Sequence, residues 1–401
     1  MESAQIPQLI RIGLGNFLAF EHVELELAPL TVLIGANSTG KSAVLHALVL
    51  LKQSLEGGDY RVPLTFGGPL LDLGRLQDVR WGRRNRALRF HLMWENGCGI
   101  ATSIKPQRRI GLAVQRDTFR LIAGGREWRL DAGDKVEPWY FSFEITQASE
   151  REKIFAFRET NATVKQFFTA LRYVGPLRQP TREAYFGHEQ PGSVGPQAHH
   201  LIPFLIEHRD VVQRISSWLR KHHLADGIEV RETLKGSGRW GIYVVENRAK
   251  RVRWNLVDTG FGYSQLIPVL AELYGSVPGS LTLIEQPEIH LNPRLAIAVG
   301  DLLIETIKAG KHVLVETHSE HLVLRLRRRI AEGDISRDQV AIYFVRRSRQ
   351  ESKSFVERIT LNEVGQLKGG WPDQFWHEDY EETFAMFRAL IERQRARDTG
   401  G

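Results

Sequence analysis

The stretch that most constrains this chain is Gly35-Ala36-Asn37-Ser38-Thr39-Gly40-Lys41-Ser42. Before it, Leu30-Thr31-Val32-Leu33-Ile34 is a short apolar run rich in β-branched residues; after it, Ser42 to Leu51 carries apolar residues at helical spacing. Glycines held between a strand and a helix read as a phosphate-binding P-loop, and those flanks argue against a chance Gly-rich turn. Small residues let backbone N–H groups from Gly35, Asn37, Ser38, Thr39 and Gly40 close around phosphate oxygens, and the helix N-terminus adds its dipole. Lys41 is expected to reach the β- and γ-phosphates of a nucleotide, and the Ser42 hydroxyl to ligate Mg²⁺.

A P-loop needs partners, and the C-terminal half supplies candidates. Leu281-Thr282-Leu283-Ile284-Glu285 is an apolar strand ending in a carboxylate, so Glu285 is placed to hold Mg²⁺, directly or through water. Val313-Leu314-Val315-Glu316-Thr317-His318 repeats the pattern one helix later. Ligands in open α/β sheets sit at the carboxyl ends of strands, so His318 is expected to face a γ-phosphate. Upstream, Asp258-Thr259-Gly260-Phe261-Gly262-Tyr263-Ser264-Gln265 opens a helix with small residues and a hydroxyl. Gly262 and Ser264 either donate to phosphate, in cis or across a dimer, or belong to a helix start with no ligand.

Composition bounds the rest. At 401 residues, 42% hydrophobic and 25% charged, the chain suits two or three soluble, globular units. Its single cysteine, Cys98, excludes an intramolecular disulfide and a cysteine-rich zinc site. No apolar run is long enough to span a bilayer and no signal peptide is evident, so a cytoplasmic location without membrane association is expected. The net charge of +7 is moderate, but arginines cluster at Arg80 to Arg86, Arg248 to Arg253, Arg325 to Arg329 and Arg346 to Arg349. On one face these would make a nucleic-acid backbone footprint; scattered, they are solvated surface charge.

The N-terminal part reads as β-rich, with Leu9 to Ile12, Val23 to Leu27 and Leu30 to Ile34 expected in one sheet leading to the P-loop. Further strands over Ala87 to Leu92, Ile110 to Val114, Thr118 to Ile122 and Trp139 to Ile145 predict an antiparallel meander. Helical spacing over Val164 to Leu171 and Ala198 to His223 predicts a compact helical insert. A hairpin follows from Ile228 to Leu256, turning at Gly236-Ser237-Gly238, and helix and strand then alternate from Gly262 to Val345, which argues for parallel strands. The resulting division is an N-terminal lobe over 1–160, an insert over 161–227, a C-terminal lobe over 228–380 and a C-terminal helix and tail over 381–401.

Together these motifs resemble the ABC-type ATPase heads of the SMC/RecF/OLD group, and more narrowly the standalone bacterial ATPases with an Asn-Ser-x-Gly-Lys-Ser P-loop, a Glu-Gln-Pro-Glu Walker B and a Glu-Thr-His-Ser switch. The resemblance runs from about Gln8 to Tyr380 and includes Tyr173-Val174-Gly175-Pro176-Leu177-Arg178 and Gly370-Trp371-Pro372-Asp373-Gln374-Phe375. It implies an α/β fold: a P-loop ATPase head with an antiparallel β-lobe, a mixed or parallel core sheet and a small helical insert. It places Gly260 to Gln265 at the signature motif, His290 to Pro293 at the D-loop, His318 as the switch histidine and Gln77, a weak match, in the region of the Q-loop glutamine that contacts Mg²⁺. Where many such heads carry a glutamate as general base after the Walker B acid, this chain has Gln286. An amide orients water but accepts a proton poorly, so hydrolysis is expected to be slow, with Glu288 as the stand-in base.

No long heptad segment and no Cys-x-x-Cys hook separate the lobes, which excludes a coiled-coil SMC or break-repair ATPase. The stretch after His318 is too short for the Toprim nuclease that OLD proteins append there, so a nuclease is expected only in a partner. The implied function is an ATP-gated homodimer or higher homo-oligomer that binds or senses nucleic acid and controls a partner effector, a nuclease or similar protein, in anti-phage defence. The alternatives are a RecF-like repair ATPase and a nucleotide-dependent scaffold with negligible hydrolysis.

Overall fold

The computed structural model describes residues 5–57, 64–83, 86–106, 114–129, 135–138, 143–147, 151–178, 185–186, 191–247, 250, 252–348, 350–351 and 353–368. A six-stranded central sheet runs in the order β10 (Arg172–Val174), β15 (Leu281–Glu285), β16 (His312–Glu316), β3 (Leu30–Ile34), β17 (Val340–Ser348), β18 (Lys353–Ile359). Its first five strands are parallel, and β18 returns antiparallel along β17. Parallel neighbours need helical crossovers. Helices α7 (Pro293–Lys308) and α8 (Glu320–Ala331) supply them on either side of β16. Each begins where a side chain accepts from a free backbone N–H: Asn292 from Leu295 N at 3.0 Å, and Ser319 from Leu322 N at 3.2 Å.

The second six-stranded sheet is an antiparallel lobe in the order β2 (Phe20–Glu26), β1 (Leu9–Phe17), β4 (Leu88–Trp94), β5 (Gly99–Pro106), β6 (Val114–Ala123), β7 (Arg126–Arg129). The single sheet expected for the first three strands is thus divided. In β2 burial alternates, as in a strand with one wet face, whereas all five residues of β3 are buried, as in a strand covered on both sides. Between the sheets lies α1 (Lys41–Glu56), which buries residues around most of its circumference.

The short α2 (Leu76–Val79) and the long α3 (Arg151–Ala170) flank this lobe, beside the hairpin of β8 (Lys135–Pro138) and β9 (Phe143–Gln147). A third sheet, of β11 (Tyr185–Phe186), β12 (Gly227–Glu232), β13 (Arg239–Asn247) and β14 (Val252–Asn255), packs with α4 (Leu201–Glu207), α5 (Arg209–Lys221) and α6 (Phe261–Gly275). Position 160/161, the expected start of the insert, falls inside α3, and β10 within the insert pairs with β15. Alternation along the central strands feeds two cores. Val32, Ile34, Ile284 and Val315 face the helices α4 to α8; Leu33, Leu283 and Leu314 face α1 and the antiparallel lobe.

The expected strand over Ile110 to Val114, apart from Val114, lies outside the described residues, as do Trp139 to Ser142, parts of the first, second and fourth arginine clusters, the segment Gly370 to Phe375 and the C-terminal helix and tail.

Candidate functional site

The parallel strands β15, β16 and β3 are adjacent, so their carboxyl ends bring Glu285, Glu316 and the P-loop to one place. The loop is held by backbone conformations that a side chain would spoil. Gly35 has φ +146 and a Cβ there would run into the Val345 carbonyl; Gly40 has φ +99 and a Cβ would run into that of Ala19. Thr39 Oγ1 donates to the Ala36 carbonyl at 2.9 Å, and from β18 Ser354 Oγ donates to the Thr39 carbonyl at 2.5 Å. Asn37 and Ser38 are exposed at the tip. Helix α1 starts at Gly40 with no side-chain cap and no acid in its first turn, leaving its N-terminal dipole available to an anion.

Lys41 is 3% exposed, and its ammonium donates to the carbonyls of Gly35 at 2.9 Å and Ala36 at 2.8 Å while lying 3.9 Å from Glu316. Burial lowers its pKa, against the opposing pull of Glu316 and Glu288. Glu285 and Glu316 are register partners on adjacent strands. Glu285 Oε1 accepts from the Tyr173 hydroxyl at 2.6 Å and lies 2.9 Å from His46 Nε2. Glu316 takes a hydrogen bond from Ser42, burial raises its pKa, and its Oε2 is buried without a partner. Three oxygen-bearing side chains, Ser42, Glu285 and Glu316, thus converge with one acceptor unused, a donor set suited to a hard divalent cation. Among the described residues no group of three or more His, Cys, Asp or Glu is arranged to hold a metal by itself, so such an ion would need oxygens from a ligand or water as well.

Facing the P-loop is a cleft lined by Ala36, Asn37, Gln286, Glu288, Ile289 and His318. Glu288 Oε1 accepts from Thr317 Oγ1 at 2.7 Å and His318 N at 2.9 Å, while its Oε2 is buried and unpartnered. The His318 ring hydrogen-bonds the Gly35 backbone; burial and then the Lys41 charge hold its pKa down at about 4, so it is neutral at pH 7. Gln286 sits at φ +46, its N–H donating to the Glu316 carbonyl at 2.8 Å.

Other sequence candidates do not line that cleft. Gln77 is exposed on α2. Gly262, half-buried near the start of α6, lies against the His290 carbonyl and Leu291, whereas Ser264 is 6% exposed and packed beside Gln265. Sequence reasoning gives no site role to His46, Tyr173, Glu316 or Ser354. His46 was within reach, being one turn after Ser42 on the same helix face, and Glu316 ends β16 as Glu285 ends β15.

A family model described as "AAA domain, putative AbiEii toxin, Type IV TA system" matches residues 229–325. No curated protein matches the chain. Among solved structures, the SMC head bound to the C-winged helix domain of ScpA aligns over 89% of this chain and 99% of its own, with 14% identity and a TM-score of 0.54. The SMC head domain from Thermotoga maritima aligns over 88% and 100% with 14% identity and a TM-score of 0.45. The SMC head with an extended coiled coil, bound to the C-terminal domain of ScpA derived from Pyrococcus furiosus, aligns over 88% and 96% with 10% identity and a TM-score of 0.47. With the antiparallel lobe, the parallel core and the P-loop at its centre, the chain has the α/β fold of an SMC head.

Proposed function

We propose that the protein binds ATP with Mg²⁺, hydrolyses it slowly, dimerises on ATP and thereby regulates a nucleic-acid-directed effector in anti-phage defence. The observation that carries this reading is the meeting of the P-loop, Glu285, Glu316 and His318 at three adjacent strand ends. Lys41 would exchange the Gly35 and Ala36 carbonyls for phosphate oxygens, a like-for-like replacement of hydrogen bonds. Ser42, Glu285 and Glu316 would hold the cation, which when bound supplies neutralisation of phosphate charge. Neutral His318 and the amide of Gln286 can orient water without removing its proton, and the free Oε2 of Glu288 is the base nearest at hand.

The defence setting is supported by the family model over 229–325, and control of a second protein by the SMC head's association with ScpA. Gln286 also favours a second reading, a nucleotide-dependent scaffold with negligible turnover. Sedimentation with and without ATP and Mg²⁺ tests the core of the proposal. Dimerisation in wild type and its loss in Lys41→Ala are expected, with DNA affinity falling steeply as salt rises. A chain that stays monomeric with saturating ATP refutes the dimer, and salt-insensitive or absent DNA binding refutes the nucleic-acid part.

A further inference from the structure

Arg178 follows β10, and its side chain is 3% exposed although that of Leu177 before it is 78% exposed. The chain turns an apolar group outward and a charged one inward, which is unfavourable unless the charge finds partners. Its partners are carbonyls. Nη2 donates to the Glu285 carbonyl at 2.7 Å and the Gln286 carbonyl at 3.3 Å, and Nη1 donates to the Gln265 carbonyl at 3.3 Å. Gln265, 2% exposed, returns the contact by donating from Nε2 to the Arg178 carbonyl at 3.3 Å. One guanidinium therefore ties the end of β15 to the first turns of α6. At the β15 end it grips a residue in an uncommon state: Gln286 holds φ +46, a conformation that persists in a residue with a Cβ only where neighbours fix it.

We infer that Arg178 is a positioning residue that couples the two nucleotide sites of the dimer: the guanidinium that sets Gln286 in its own chain's cleft also sets the α6 turn, Gly262 to Gln265, offered to the partner's nucleotide. This rests on the ATP-driven dimer proposed above. A ligand that shifts the end of β15 moves the carbonyls Arg178 holds, and the start of α6 follows. Lysine at 178 keeps the charge but has no planar fork to span carbonyls on two elements.

The test uses the full chain and two variants, Arg178→Lys and Arg178→Met; both remove the planar fork that spans the Glu285, Gln286 and Gln265 carbonyls, and the second also leaves no buried charge without partners. A fluorescent ATP analogue measures nucleotide affinity at protein concentrations where the chain is monomeric, and sedimentation measures dimerisation against ATP. Coupling predicts monomer affinity within about two-fold of wild type, with half-dimerisation requiring about ten-fold more ATP and a Hill slope reduced toward unity. Wild-type ATP dependence of dimerisation in both variants would overturn the coupling and leave the dimer standing. An equal loss of monomer affinity and dimerisation would also overturn it, making Arg178 a brace for the fold. Should Arg178→Lys not fold, Arg178→Met decides alone. Failure of wild type to dimerise on ATP overturns the proposed function, and this inference with it.

Discussion

Helices α1 and α6 start alike and are finished differently. Each has a glycine at the N-cap, Gly40 or Gly260, with no side-chain cap and no acid in the first turn. Around α1 the same chain supplies everything else: a lysine, two register-paired carboxylates and a neutral histidine. Around α6 it supplies little. Gly260 is exposed, and a Cβ built on it meets nothing within 4 Å among the described residues. The difference teaches that an uncapped helix start is only half of an anion site. One such half is completed at home; the other is left open, consistent with the proposed ATP-driven dimer.

Substitutions can break or sharpen that contrast. Lys41→Ala should have the largest effect, lowering ATP affinity about 100-fold in a titration, since it removes a charged donor from the completed half. Gln286→Glu should raise turnover at least about ten-fold in a phosphate-release assay, because a carboxylate accepts the proton an amide cannot; unchanged, rapid turnover in both proteins would sink the slow-hydrolysis reading. Gly262→Asp should weaken ATP-driven dimerisation about five-fold by setting a negative charge at the open half, with monomer affinity for ATP intact. If both quantities fall together, the two helix starts are not separable.

Two further expectations concern stability. Tyr173→Phe leaves the buried Glu285 carboxylate with His46 alone and should cost about 1–2 kcal/mol in chemical denaturation. The other concerns Glu272 on α6, which accepts from Val194 N at 2.8 Å with Arg172 3.8 Å away. Burial nonetheless pushes its pKa up to about 7, above the ordinary glutamate range of the unfolded chain. The folded state therefore binds the extra proton between those values, and this contribution to stability is lost as pH rises through about 7. Glu272→Gln should flatten that decline, read from denaturation midpoints across the same pH window.

Much of the fold is legible in the sequence because its signals are local. The run from Leu281 to Val345 alternates strand and helix with proper caps, and the P-loop carries its own strand and helix. What was hidden depends on contacts distant in sequence. Strand β10 is three residues long, too short for any periodicity, yet it brings Tyr173 to Glu285. Ser354 reaches Thr39 across 315 positions, and nothing in its neighbourhood marks it. Helix α3 begins at Arg151, well before the expected Val164, because Thr160, Asn161 and Thr163 interrupt with poor helix formers a stripe that Phe157, Val164 and Phe167 nonetheless bury. Apolar runs also do not say which sheet they join, so β1 and β2 were grouped with β3.

The placement of β3 has a consequence for how the protein is made. It lies between β16 and β17, pairing Leu30 with Val313 on one side and Val340 on the other. On a ribosome adding about 5–20 residues per second, roughly 15 to 60 s pass between emergence of the P-loop strand and arrival of its neighbours. During that interval an apolar strand with both edges open must be shielded by the antiparallel lobe alone or by a chaperone. Nucleotide cannot hasten this step: the pocket that would bind it comes into being only after most of the chain has left the ribosome.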